Sequence, residues 1–273
     1  MTIDSSTLSL RDHLIDFGIQ AFQDDSYWTW GGEKLGEKRS AHLNKLRKPL
    51  MRGNPKKADL FAFYEFIATA EVAAVVHSMK ADAIRATGEF VSSRIQGPRI
   101  LDTGCGIGYL TSWYALQKPK EKVLGIDFSP TSIEIAKRCA TKRGITNLEF
   151  CALDGKLFSP TEPFDTIVDT QGMINPQLDS KGIQLMLSWL HPEGKLIAVP
   201  AFGDLPAFEA FLDKIDSDRV SILSLDWIHF SDLGERGMFP GIVMSHADSD
   251  TGLSKAQLAA AFRDGIVAFN LMV

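Results

Sequence analysis

Pro98-Arg99-Ile100-Leu101-Asp102-Thr103-Gly104-Cys105-Gly106-Ile107-Gly108-Tyr109-Leu110-Thr111 decides the fold. A short apolar strand, Arg99 to Leu101, runs into an acid at Asp102. Glycines then occupy alternate positions 104, 106 and 108, and an amphipathic stretch opens at Tyr109. Strand, glycine turn and helix start follow one another directly. Glycines let the backbone turn tightly and let a ligand approach without meeting a Cβ, and the helix behind them presents free N–H groups.

Downstream the pattern repeats. Lys122 to Ile126 is a second buried strand with Asp127 at its end, 19 residues after Gly108, where a carboxylate can accept both hydroxyls of a ribose. Ser129 and Pro130 begin a helix as N-cap and first helical residue; Ile133, Ala136 and Ala140 share one face, and Gly144 closes it. A third strand, 147–153, ends at Asp154-Gly155, and a fourth, Phe164 to Asp169, follows. A turn at Leu190 to Gly194 leads into a fifth strand. Alternation of this kind predicts a Rossmann-like, doubly wound, mostly parallel α/β sheet, with ligands outside the carboxyl ends of the strands.

The run Asp-x-Gly-x-Gly-x-Gly at Asp102–Gly108 resembles motif I of the class I S-adenosylmethionine-dependent methyltransferases. The third glycine comes one residue earlier than in a G-x-G-x-x-G dinucleotide fingerprint, which disfavours a nicotinamide dehydrogenase. The resemblance implies S-adenosylmethionine as cofactor. It further implies that Asp127 binds the ribose, that Asp154 accepts the adenine amino group and that Leu153 packs on the ring edge. Asp102, Gly104, Cys105, Gly106, Phe128, Gly155, Asp169 and Thr170 complete the expected cofactor set. Leu190-His191-Pro192-Glu193-Gly194 is similar to the family's Leu-x-Pro-Gly-Gly, with Glu193 in place of one glycine. Asp169 to Pro176 departs from the Asn/Asp-Pro-Pro-Tyr motif of enzymes that methylate amino groups of nucleic acids or glutamine. The resemblance covers residues 98–200 and is silent on the methyl acceptor.

The flanks must supply that acceptor site. Residues 1–97 are expected to form a helical N-terminal cap or lid, and 98–273 the cofactor domain with an excursion near 230–253. Leu10, Leu14, Phe17 and Ala21 predict one helix, the apolar run 58–79 a long second one, and 81–95 a third. After a loop at Asp24-Asp25-Ser26, the cluster Tyr27-Trp28-Thr29-Trp30 beside Gly31-Gly32 reads either as a hinged lid or as a packing anchor. Residues 33–57 hold nine Lys or Arg against two Glu, so this segment carries +7 and the rest of the chain −12. It reads either as a solvated face or as an approach for an acidic substrate, with Arg47, Lys48 and Arg52 foremost. Towards the C-terminus, 220–228 reads as a strand, 239–244 as a further strand or a cap segment, Ser254 as the cap of a last helix, and 265–273 as a final strand.

Methyl transfer needs alignment and a dry site, and a hydroxyl acceptor also needs a base. Of six histidines, His229 at the end of a strand is the expected catalytic one and His246 the next, whereas His77 and His191 are expected to lie away from the active face. No metal is expected, since no cysteine cluster or H-E-x-x-H is present. Net charge of −5 gives no general attraction for nucleic acid or anionic membrane, and no apolar run matches a membrane span. Three cysteines without C-x-x-C spacing fit a reducing compartment, and the N-terminus lacks a signal-peptide pattern, so the expected location is cytoplasmic. The expected partner is a small-molecule methyl acceptor, with a homodimer as the assembly to test. Two alternatives stand beside this reading: methylation of RNA or protein through segment 33–57, and a non-catalytic cofactor-binding interaction subunit.

Overall fold

The computed structural model describes residues 8–51, 56–170, 172, 181–200, 205–215, 219–247 and 252–272. Five helices come first: α1 (Leu10–Ile15), α2 (Ser26–Met51), α3 (Lys57–Ile67), α4 (Ala70–Ser78) and α5 (Ala81–Ser92). The alternating part follows as β1 (Arg99–Thr103), α6 (Tyr109–Gln117), β2 (Lys122–Asp127), α7 (Pro130–Lys142), β3 (Leu148–Ala152), β4 (Phe164–Asp169), α8 (Lys181–Ser188) and β5 (Leu190–Ala198). The chain continues with α9 (Leu205–Lys214), β6 (Val220–Asp232), β7 (Glu235–His246) and α10 (Lys255–Met272).

One seven-stranded sheet has the order β3-β2-β1-β4-β5-β7-β6. β1 to β5 run parallel, and β7 is antiparallel to both β5 and β6. The strand order reverses between β1 and β4, and the crevice outside their carboxyl ends is where such a sheet takes its ligand. Alternate strand residues feed two apolar cores. Leu101, Ile167 and Leu196 face α8, α9 and α10, whereas Ile100, Val168 and Ile197 face α1, α5 and α6. Tyr27, Leu35, Ile67, Val72 and Val75 form a third, smaller core that joins α2, α3 and α4.

Several expectations change. The 58–79 run is two helices, α3 and α4, which meet at 96°. Thr69 breaks it: its backbone is extended and its hydroxyl donates to Phe66 O at 2.9 Å. The first helix stops at Ile15, ahead of a left-handed Gly18. Ser26, expected in a loop, already belongs to α2, and Tyr27 to Gly32 form its first turns. Residues 230–246 are not an excursion; they continue β6 and return as β7 through a turn at Leu233-Gly234, both at positive φ. Residues 248–251 of the expected excursion lie outside the described residues. Residues 265–272 are helical, as the end of α10, whose Leu258 and Phe262 are four apart and buried on one face. The core also disregards the expected boundary at 97/98, because Leu10, Leu14 and Val91 share one cluster with Ile100 and Val168.

Candidate functional site

The glycine loop leaves β1 with Gly104, Gly106 and Gly108 all at positive φ (68°, 54° and 77°). At Gly104 the need is also steric: a Cβ there would lie 2.7 Å from Gly172 Cα, in the segment that leaves β4. Backbone from the two strands that flank the switch point thus meets over the loop.

Four acids surround it in different states. Asp102 is 2% exposed. One of its oxygens accepts from the Thr111 hydroxyl at 2.5 Å, and the other is buried with no partner. Burial pushes this carboxyl up to about 7, helped by the charges of Asp169 and Asp127 and opposed by Thr111. Asp127 accepts from Gly106 N at 2.9 Å and Ser129 N at 2.8 Å. Burial raises it, and these two N–H groups pull it back. Asp169 accepts from the Thr103 hydroxyl at 2.7 Å and from Gly172 N at 3.1 Å. Asp154 accepts from Lys57 Nζ at 2.7 Å, and that contact holds its carboxyl below the usual range.

A cavity of about 610 Å³ opens in front of this loop. Asp102, Gly104, Cys105, Gly106, Asp127 and Thr170 line one part, side chains of α2 to α5 line much of the rest, and Tyr109, Leu110, Ser132 and Phe239 also contribute. Phe128, Leu153, Asp154, Gly155 and Asp169 are outside the lining. Leu153 N donates to Asp127 O at 2.8 Å, which ties the β3 end to the β2 end.

Helix α3 docks on that same edge, which sequence reasoning missed. Lys57, Phe61, Tyr64 and Glu65 form one helical stripe, the spacing that could have revealed it. Lys57 pairs with Asp154, while Phe61 and Tyr64 sit 6.1 and 5.6 Å from Phe128 between ring centres. Glu65 accepts from the Ser129 hydroxyl and, at 2.6 Å, from that of Thr131.

The histidines redistribute. His229 is exposed and stacks on Phe269 of α10 at 6.5 Å. Its neighbours Ile228 and Phe230 pack on the α5 side of the sheet. The alternation of β6 therefore turns His229 to the opposite face, away from the cavity. His246 reaches Leu190 O at 3.3 Å, at the start of β5 and far from the ligand edge. His77, expected elsewhere, lines the cavity with its ring edge-on to Tyr109 at 5.0 Å. Burial, aided by Lys80, lowers it to about 4, so it is neutral at neutral pH. His13 is buried behind the loop, where it donates from Nε2 to Tyr109 O at 2.7 Å and accepts from Arg143 at Nδ1.

The aromatic cluster divides. Tyr27 is buried and donates to Val75 O at 3.1 Å, and Trp30 packs on Phe22 at 4.9 Å, so both anchor the cap. Trp28 is 60% exposed and lines the cavity mouth. Among the described residues, no group of three or more His, Cys, Asp or Glu could hold a metal ion, and no single helix is long and apolar enough to cross a membrane.

Residues 96–217 match the family described as "Methyltransferase domain". The trans-aconitate 2-methyltransferase of Streptomyces coelicolor is 32% identical over 127 residues, covering 45% of this chain and 41% of that protein. The aklanonic acid methyltransferase DauC of Streptomyces sp. (strain C5) is 33% identical over 87 residues, covering 31% and 39%. The chain spans less than half the length of the curated relatives it matches. In fold it is similar to the DhpI–SAH complex, with a TM-score of 0.51 and 18% identity over 67% of this chain and 93% of the other.

Proposed function

We propose that this chain, whose residues 96–217 match a methyltransferase domain, is a class I enzyme that moves the methyl group of S-adenosylmethionine to an oxygen or nitrogen of a small organic molecule. The observation that carries this reading is the cavity of about 610 Å³ that lies between the glycine loop and the N-terminal helices. That volume falls in the range of small-molecule sites. The names of the relatives, trans-aconitate and aklanonic acid methyltransferases, support a small acceptor.

The residues fit the cofactor. The unpartnered buried oxygen of Asp102 suits an ammonium group, and the glycine loop leaves no Cβ between backbone and ligand. Asp127 would take the ribose hydroxyls, and Asp154 with Leu153 and Gly155 the adenine. Cys105, Phe128, Asp169 and Thr170 would shape the remaining wall. When bound, the cofactor supplies an electrophilic methyl carbon on a sulfonium. The chain's own part is to exclude water and to align the acceptor. His77 is the cavity imidazole available to accept a hydrogen bond or a proton from an acceptor hydroxyl or amine.

Incubation with methyl-labelled S-adenosylmethionine and a cell extract tests the reading, with label followed in small-molecule, RNA and protein fractions. Label should enter the small-molecule fraction and vanish with Asp127→Ala, whose lost hydrogen bonds should weaken cofactor binding about ten- to a hundredfold. Label in RNA or protein instead would overturn the small-molecule assignment, and cofactor binding without any transfer would point to a non-catalytic module.

A further inference from the structure

The cap wall of the cavity is chemically graded, and the gradient follows one helix. Before its bend at Gly36, α2 offers the cavity Tyr27, Trp28 and Leu35; after it, Ser40, Leu43, Asn44 and Arg47. The second set has spacings of three and four, so it is one helical face. Its polar members are uncharged donors and one guanidinium. Segment 33–57 holds nine bases, and three of them are engaged elsewhere. Arg39 pairs with Glu71, Lys57 with Asp154, and Lys34 lies 5.9 Å over the Trp30 ring. Arg47 is the base of α2 that lines the cavity, and it forms no ion pair with a carboxylate among the described residues.

The opposite charge is confined to the cofactor end. Asp102 and Asp127 are the acids in the lining, and both are engaged with the loop, Asp102 through Thr111 and Asp127 through Gly106 and Ser129. The cap part of the lining has no acid and two cations, Arg47 and Lys80. Lys80 stands within electrostatic reach of the Asp232 carboxylate, which leaves Arg47 as the cation of this wall without an ion pair among the described residues. Beside them that wall carries the apolar side chains of Leu43, Phe63, Ile67 and Val76. A fixed cation beside an apolar surface recognises an amphipathic anion. A guanidinium with neutral Ser and Asn donors matches the single charge and planar fork of a carboxylate better than the near-double charge of a phosphomonoester.

We infer that the acceptor is an organic acid with an apolar body, whose carboxylate is held by Arg47 on the cap wall. This rests on the methyltransferase reading above and names its substrate class.

The test uses the full chain saturated with S-adenosylhomocysteine, with octanoate, octanamide and octyl phosphate as probes followed by saturation-transfer NMR and calorimetry. Octanoate should bind at least about tenfold more tightly than octanamide at low salt, and the preference should shrink as salt screens the charge. Arg47→Gln should erase the preference, Arg47→Lys should retain part of it, and Lys45→Gln on the same helix should change nothing. Unaltered melting and S-adenosylhomocysteine affinity in Arg47→Gln would confirm that its fold is intact. Equal binding of acid and amide, retention of the preference in Arg47→Gln, tighter binding of octyl phosphate, or no octanoate binding would each overturn the inference. Failure to bind S-adenosylhomocysteine would instead sink the methyltransferase reading, and this inference with it.

Discussion

Asp102 is a carboxyl whose protonation answers to what occupies the site. Burial holds it near 7, and one oxygen has no partner. A ligand ammonium placed there favours the ionised form, so binding expels a proton. S-adenosylmethionine affinity should therefore rise with pH, by up to about tenfold per unit below about pH 7, and level off above it. Asp102→Asn should flatten that profile in calorimetry; a slope that survives would mean another group titrates. The linkage to stability has the opposite sign. A carboxyl raised in the folded state stabilises the empty protein below its unfolded pKa of about 3.9, and that contribution is lost as pH climbs through about 7. His13, lowered to about 4 by burial and Arg143, works the other way, with stability present above about pH 6.5 and lost as pH falls through about 4.

At the scale of elements, the bend in α2 shapes the cavity. Gly36 sits at φ 66°, ψ 167°, outside helical space. Twenty helical residues would separate positions 27 and 47 by about 30 Å if α2 ran straight. Instead Arg47 is close enough to pull back the Tyr27 phenol that burial pushes up. Gly36→Ala would force a side chain into a backbone region open mainly to glycine, at about 1–3 kcal/mol. The variant should melt earlier and show faster amide exchange across 26–51, with the sheet's exchange unchanged; equal protection in the variant would show that the bend tolerates a Cβ.

Elements were legible in the sequence where their signals were local. The run from Arg99 to Gln117 carries its own strand, glycines and helix start, and Ser129-Pro130 announces α7 directly. The strands, turns and helix starts of this edge could therefore be anticipated from the sequence. The bend at Gly36, the break at Thr69 and the β6–β7 return depend on what packs against them. His229 shows the limit most sharply: its nearness to a strand end could be read, but its face turns on a one-residue parity that tertiary pairing sets. The sequence sets Arg47, Lys48 and Arg52 together as foremost among nine bases, and the course of α2 is what brings Arg47 to the cavity.

The whole molecule does not divide where its sequence pattern does. Leu10, Leu14 and Val91 share a core with Ile100, Val168, Ile197 and Ile228. The full chain should unfold in one calorimetric transition, at a temperature raised by S-adenosylhomocysteine. A fragment starting at residue 98 should fail to fold, since it bares the sheet face that α1 and α5 cover. Two separate transitions, or a folded fragment, would restore the boundary at 97/98.

Asp232 adds a matter of timing. Lys80, the residue before α5, offers that helix no side-chain cap; the Asp232 carboxylate instead accepts from Asp82 N at 2.8 Å and Ala83 N at 3.2 Å. A ribosome delivers the helix 150 residues before its cap. Throughout that interval the nascent chain carries an unfinished helix end. Synthesis of the far hairpin is thus what releases the first-made part of the protein from waiting.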